Sequence, residues 1–298
     1  MIKVANAPCS WGVLEFGLEG DSYEYPQVLS EMRATGYTGT ELGDWGFMPT
    51  DPKELKEVLA GQQLELVGGF VPVALSKAKN HEAGITKALQ TAKLMAEASR
   101  EAFIVLADDN GTNNNRTKKA GRIKASDGLT DSEWRTFADG VHRIASSVLD
   151  ETGLKTVFHH HCAGYIETPD EIDRMLSLTA PDLVGLCFDT GHYRFGGGDP
   201  VEGLNKFGDR IKHVHFKDCH PGILNQSVIH KWDYFQSVGE GIFCELGQGE
   251  VDFSTILAQL NKSHYQDWIV VEQDILPGMG QPSESAQRNR DYLKAIGV

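Results

Sequence analysis

The stretch from Leu183 to Asp218, LVGLCFDTGHYRFGGGDPVEGLNKFGDRIKHVHFKD, leaves the chain little freedom of architecture. Leu183–Phe188 and Ile211–Phe216 are short apolar runs of the kind that form strands buried on both faces. Between them Asp199 is placed as an N-cap, Pro200 as the first helical residue and Glu202 as an acid in the first turn. Two strands joined by one helix over so short a span pair in parallel, with a right-handed crossover. Asp189 and His192 then follow the first strand, and His213, His215, Lys217 and Asp218 lie along and after the second. Carboxylates and imidazoles at neighbouring strand exits suit a metal site or acid–base chemistry.

The rest of the chain repeats that unit. Ile2–Pro8 reads as a strand with Cys9–Gly12 as its exit, Tyr25–Thr35 as a helix, and Tyr37–Leu42 as a strand carrying Glu41. Asp51-Pro52 opens a helix, Leu64–Val73 is a strand with Phe70 at its exit, and His81–Ala98 is an amphipathic helix. Ala102–Leu106 is a strand, and 107–129 reads as a long unpatterned loop, either a lid or a solvated basic surface. Thr130 with Glu133 forms a capping box, as does Thr168 with Glu171, and Lys155–His160 is the strand between those helices. Phe253–Leu260, Trp268–Glu272 and Ser283–Ile296 complete the series as helix, strand and helix. Roughly eight β/α units without a linker predict a single-domain (β/α)₈ barrel over residues 1–298. A doubly wound open sheet is the rival, and no GxGxxG follows the first strand.

Composition narrows the function classes. A formal net charge of −14 opposes binding to a phosphate backbone, so no nucleic-acid partner is expected. No apolar run approaches membrane-spanning length and the N-terminus has no secretory apolar segment, so a cytoplasmic protein without a membrane partner is expected. Five cysteines without CxxC spacing fit reduced, mostly buried thiols. A homo-oligomer is compatible with all of this.

In a barrel the active site lies where the strand-exit loops converge. Those exits hold Trp11, Glu41, Phe70, His159-His160-His161, Asp189, His192, His215, Lys217 and Glu272. Side chains alternate along a strand, so His159 and His161 share one direction and His160 takes the other. A lone Asp after a strand is more often a helix cap, and Trp11 and Phe70 can cap the barrel mouth as readily as touch a ligand. Glu272 and Glu41 lie within apolar strands, where an unpaired carboxylate is costly. An aspartate, a histidine and a glutamate from three successive exits make an open N/O site for Mn²⁺, Co²⁺, Fe²⁺ or Zn²⁺, with Mg²⁺ allowed, rather than Ca²⁺.

The segments GYTGTELG, FHHHCAGYIETPDEID, FDTGHYRFGGGDP, RIKHVHFKD, LGQGEVDF and VVEQD resemble, in order and spacing, the xylose-isomerase-like barrels. Within that group they resemble the inositol-catabolic inosose dehydratases. The resemblance implies one divalent metal, with Asp189, His215 and Glu272 at ligand positions. The family's usual fourth ligand, a glutamate ending strand five, is replaced here by His159, with His161 or water as alternatives. It also implies a small polyol or keto-sugar substrate contacted by Trp11, Phe70, His161, His192 and Lys217.

The expected reaction is dehydration of a keto-inositol, in which a metal acts as Lewis acid toward the ketone. Glu272 or Glu41 would take the α-proton, and His192, His161 or Lys217 would protonate the leaving β-hydroxyl. A ketose isomerase or epimerase would share the first half of that chemistry. A barrel that binds a polyol without turnover is the third class.

Overall fold

Residues 2–13 and 23–298 are described by the computed structural model. The apolar runs form eight parallel barrel strands: β1 (Lys3–Asn6), β2 (Gly39–Glu41), β3 (Glu65–Val73), β4 (Phe103–Asp108), β5 (Lys155–His159), β6 (Val184–Asp189), β7 (Ile211–Phe216) and β10 (Trp268–Val271). Between β7 and β10, β8 (Asp218–Cys219) and β9 (Phe243–Cys244) make a short antiparallel ladder. The barrel closes in the order β1-β10-β7-β6-β5-β4-β3-β2, so the strands that neighbour each other in sequence also pair, and β1 joins β10 to β2.

Two-residue alternation sorts side chains between the barrel interior and the helical ring. Val105, Val157 and Cys187 pack together inside, and Ala5, Val67 and Val270 form a second inner group against Trp268. Outward residues such as Ile104, Phe158, Leu186 and Val214 join the main core under the helices. Moving two residues up from Gly39, Val157, Cys187, His213 and Val270 on the interior face reaches Glu41, His159, Asp189, His215 and Glu272. A single layer of the barrel therefore collects the polar groups.

Local signals held where they were strongest. Thr130–Glu133 and Thr168–Glu171 are capping boxes, Asp51 and Asp199 cap their helices through side-chain oxygens, and His81–Ala98 is one helix. The first strand is shorter than expected, because Pro8–Trp11 turns into a 3₁₀ helix. Short helices at Thr190–Phe195, Pro221–His230 and Tyr234–Gly239 lack an extended amphipathic pattern and were not expected. All five cysteines are free, and Cys162, Cys187 and Cys219 are buried. No helix among the described residues is long and apolar enough to cross a membrane.

The segment 107–129 is not a solvated loop. It folds into a helix at Asn114–Lys119 and a 3₁₀ turn at Ala125–Asp127. Arg116, fully buried, donates to the Gly164 carbonyl at 2.6 Å and reaches both carboxylate oxygens of Glu171 at 2.8 Å. Arg122 donates to the carbonyls of Ser227 and Trp232 at 3.2 and 2.8 Å, tying the segment to the insertion that carries Tyr234. Arg116 and Arg122, which on their own read as part of a charged surface, are thus structural fasteners.

Glu167 lies beneath this segment, accepting from the Gly121 and Ala163 amides at 2.7 and 2.9 Å. Burial pushes its carboxyl up to about 7, against the opposing pull of Arg116 and those two amides. A folded pKa above the unfolded value means that protonation favours the fold: the contribution is complete below pH 4.5 and gone once pH has risen through 7. Glu167→Gln should therefore gain on the native protein by about 3 kcal/mol between those limits, whatever its constant offset. Urea unfolding of both proteins from pH 5 to 8 checks this, and parallel curves would refute it.

Candidate metal and catalytic site

The carboxyl end of the barrel holds a cavity that opens to solvent. Its wall includes Cys9, Glu41, Phe70, His159, His161, His215, Lys217, Tyr234, Glu272 and Asp274. These come from most of the strand exits and from the insertion after β7.

At its floor, His159, Asp189, His215 and Glu272 each present one donor atom, all within 4.8 Å of one another. His159 Nε2 is 3.6 Å from Asp189 Oδ2, while His215 Nδ1 lies 3.8 Å from that oxygen and 3.2 Å from Glu272 Oε1. Asp189 divides its work. Its Oδ1 accepts from the His192 amide at 2.7 Å and caps the following helix, which leaves Oδ2 facing the cluster. Asp189 Oδ2, His215 Nδ1 and both ring nitrogens of His159 are buried without a hydrogen-bond partner. Buried polar atoms are normally satisfied. One nitrogen from each of the two imidazoles and the Asp189 oxygen converge beside a second carboxylate, an arrangement that fits a divalent cation with mixed N/O ligation.

The histidine cluster divides as strand alternation predicts. His159 and His161 line the cavity, whereas His160 turns outward against Phe188 and Tyr193 and accepts from the Asp189 amide at 3.1 Å. His161 Nδ1 is bonded to the Cys162 carbonyl at 2.5 Å, and its Nε2 lies 3.4 Å from the Tyr234 hydroxyl. His159 is therefore the imidazole left open for the fourth ligand position.

Lys217 occupies the side wall. Its Nζ lies 3.1 Å from Glu272 Oε2, 3.3 Å from Asp274 Oδ2 and 3.5 Å from His192 Nε2, above the Phe243 ring. Burial alone would favour a neutral amine, but Asp274, Glu272 and Asp189 raise Lys217 well above its ordinary value and keep it cationic. Burial and the cations nearby push His161 and His192 well below the usual imidazole range, so both are neutral. Glu272, despite burial, is held well below the usual carboxylate range by His215 and Lys217.

Three expected residues sit differently from the sequence reading. Trp11 is fully buried, with its indole N–H donating to Glu31 at 2.8 Å, and does not face the cavity. His192 is fully buried behind His161, their ring centroids 3.7 Å apart, and is not part of the cavity wall. The helix begun at Asp189 turns it away from the mouth. Glu41 reaches the floor, but its Oε1 accepts from His213 Nε2 at 2.7 Å and His215 Nε2 at 3.0 Å. Asp274 was missed. Two residues beyond Glu272 and past the end of β10, it also lines the cavity, and its closeness in sequence to Glu272 is the signal that could have found it.

The family described as xylose isomerase-like TIM barrel has a model that matches residues 29–296. Over 297 residues the chain is 35% identical to the inosose dehydratase of Geobacillus kaustophilus (strain HTA426), covering 99% of this chain and 94% of that protein. Among solved structures, the probable 3-DHS dehydratase AsbF from Bacillus anthracis aligns with a TM-score of 0.72 at 14% identity, over 98% of this chain and 99% of its own. The IolI protein with a bound zinc atom aligns at 0.71 and 16% identity, over 99% and 98%. At those identities the structural likeness is one of fold.

Proposed function

The chain belongs to the xylose isomerase-like TIM-barrel family, and from that premise we propose that it is a metal-dependent lyase that dehydrates a keto-inositol. Full-length likeness to an inosose dehydratase carries the choice of lyase over isomerase. The site supports it by offering an ionised carboxylate and an ammonium group on one wall beside a metal-binding cluster.

His159, Asp189, His215 and Glu272 would hold the cation, which when bound supplies Lewis-acid activation of the ketone and lowers the cost of forming an enolate. Everything else falls to side chains. The two oxygens of Glu272 face different ways: Oε1 toward His215 and Oε2 toward Lys217. Oε2 is therefore placed to take the α-proton while Oε1 stays with the cluster. The C–H electron pair first forms the enolate; as the enolate returns to the ketone, that pair becomes the Cα=Cβ double bond and the β-carbon–oxygen bond breaks. Lys217 gives the departing hydroxyl its proton, so water leaves. The enol tautomerises to a diketone. Asp274 keeps Lys217 aimed at the cavity throughout. Phe70 and Tyr234 offer ring surfaces on which a cyclic polyol can lie, with His161 beside them.

The test is incubation of the Mn²⁺-treated protein with 2-keto-myo-inositol. Loss of one water by mass spectrometry, with growth of a conjugated enone absorbance, is expected. A product of unchanged mass would instead make the protein an isomerase or epimerase.

A further inference from the structure

We infer that Glu41 is a positioning residue: its carboxylate fixes the tautomer and tilt of His215, so that Nδ1 presents its lone pair to the metal cluster. The inference rests on the metal-binding reading above and concerns a residue outside the ligand set.

The geometry is built from backbone upward. The β2–β3 register shifts between Thr40 and Glu41, where a bulge turns the Glu41 side chain across β3. The residue it crosses is Gly68, where a Cβ would stand 2.7 Å from Glu41 Oε1. Only glycine leaves that path open. Across the barrel, alternation along β7 turns His213 and His215 to the same face, and both reach the one oxygen.

A carboxylate oxygen only accepts, so each Nε2 in these bonds carries the hydrogen. With Nε2 committed to its hydrogen, Nδ1 is the His215 nitrogen that can give up its own and offer a lone pair to a metal, 3.2 Å from Glu272 Oε1 and 3.8 Å from Asp189 Oδ2. His213 plays a different part. Its Nδ1 is also buried without a partner, yet it sits one layer deeper, against the Phe103 ring at 5.6 Å. Its bond anchors the carboxylate from below and stops it from rotating away from His215. A carboxylate behind a ligating imidazole also raises that imidazole's basicity, and losing such a partner typically costs about 10–100-fold in metal affinity.

Glu41→Asp and Glu41→Gln separate position from charge. Aspartate keeps the charge but withdraws the oxygens by about 1.5 Å, one carbon–carbon bond. Glutamine keeps an acceptor in place without the charge. Mn²⁺ affinity, read from the electron paramagnetic resonance of the free ion, should fall about 10–100-fold in Glu41→Asp and less in Glu41→Gln, on protein shown to be folded by circular dichroism. A merely structural role would lower the melting temperature of both variants while the folded protein bound Mn²⁺ within twofold of native; that result overturns the inference. A measurement on the unmodified chain covers the case in which neither variant folds. With ¹⁵N-histidine and Zn²⁺, the proton of His215 should be found on Nε2, and coordination through Nε2 would overturn the inference. If native protein binds neither ion, the metal-binding reading itself fails and this inference with it. Native binding with unchanged variants sinks the inference alone.

Discussion

Alanine at Asp189, His215 or Glu272 should strip the protein of divalent metal and of turnover together. The three come from successive exits of paired strands, and Asp189 and His215 face each other in register across β6 and β7. Removing a ligand should cost more than the roughly 10–100-fold typical of outer partners, so metal measured after dialysis should fall to background. Asp189 requires a gentler companion, because alanine there also removes a helix cap worth about 1 kcal/mol. Asp189→Asn retains an oxygen for the His192 amide while removing the charge, and it should still lose metal. His159→Ala should behave as a ligand loss and His161→Ala should not, since His161 Nδ1 is already committed to the Cys162 carbonyl. Full metal occupancy in Glu272→Ala would remove that residue from the set.

Lys217→Met should slow elimination by about 10²–10⁴-fold, the usual worth of a general acid, with metal content nearly unchanged. The α-proton would still be removed by Glu272, so deuterium from solvent should continue to enter unreacted substrate, or enter faster as the enolate stalls. Loss of exchange in proportion to turnover would show that Lys217 acts before the carbon–oxygen bond breaks. His192→Ala should do less. His192 contacts Lys217 from behind rather than facing the cavity, so its loss loosens the ammonium group without removing it.

Much of this was readable in the linear chain because the governing physics is local. Strands buried on both faces are apolar runs, caps act within three or four residues, and two-residue alternation decides which neighbours share a face. Those rules were enough to place Asp189, His215, Lys217 and Glu272 at strand exits, and to turn His160 away from His159 and His161.

Where residues far apart in sequence meet, only barrel closure could decide. Glu41 and His215 are 174 positions apart, and their 3.0 Å contact depends on a register shift in β2 and on the missing Cβ of Gly68. No local pattern distinguishes a glutamate that takes a proton from one that holds a histidine. The partners of Arg116 are also remote, 48 and 55 positions away: Gly164 and Glu171 come within reach only after 107–129 folds over the exit of β5. Trp11 and His192 left the substrate wall for a similar reason, each carried inward by a short helix whose few residues show no periodicity. Periodicity and capping thus determined which residues arrive at the mouth of the barrel. The partners each finds there were decided by three-dimensional closure, because a buried hydrogen bond depends on distances that the sequence interval does not encode.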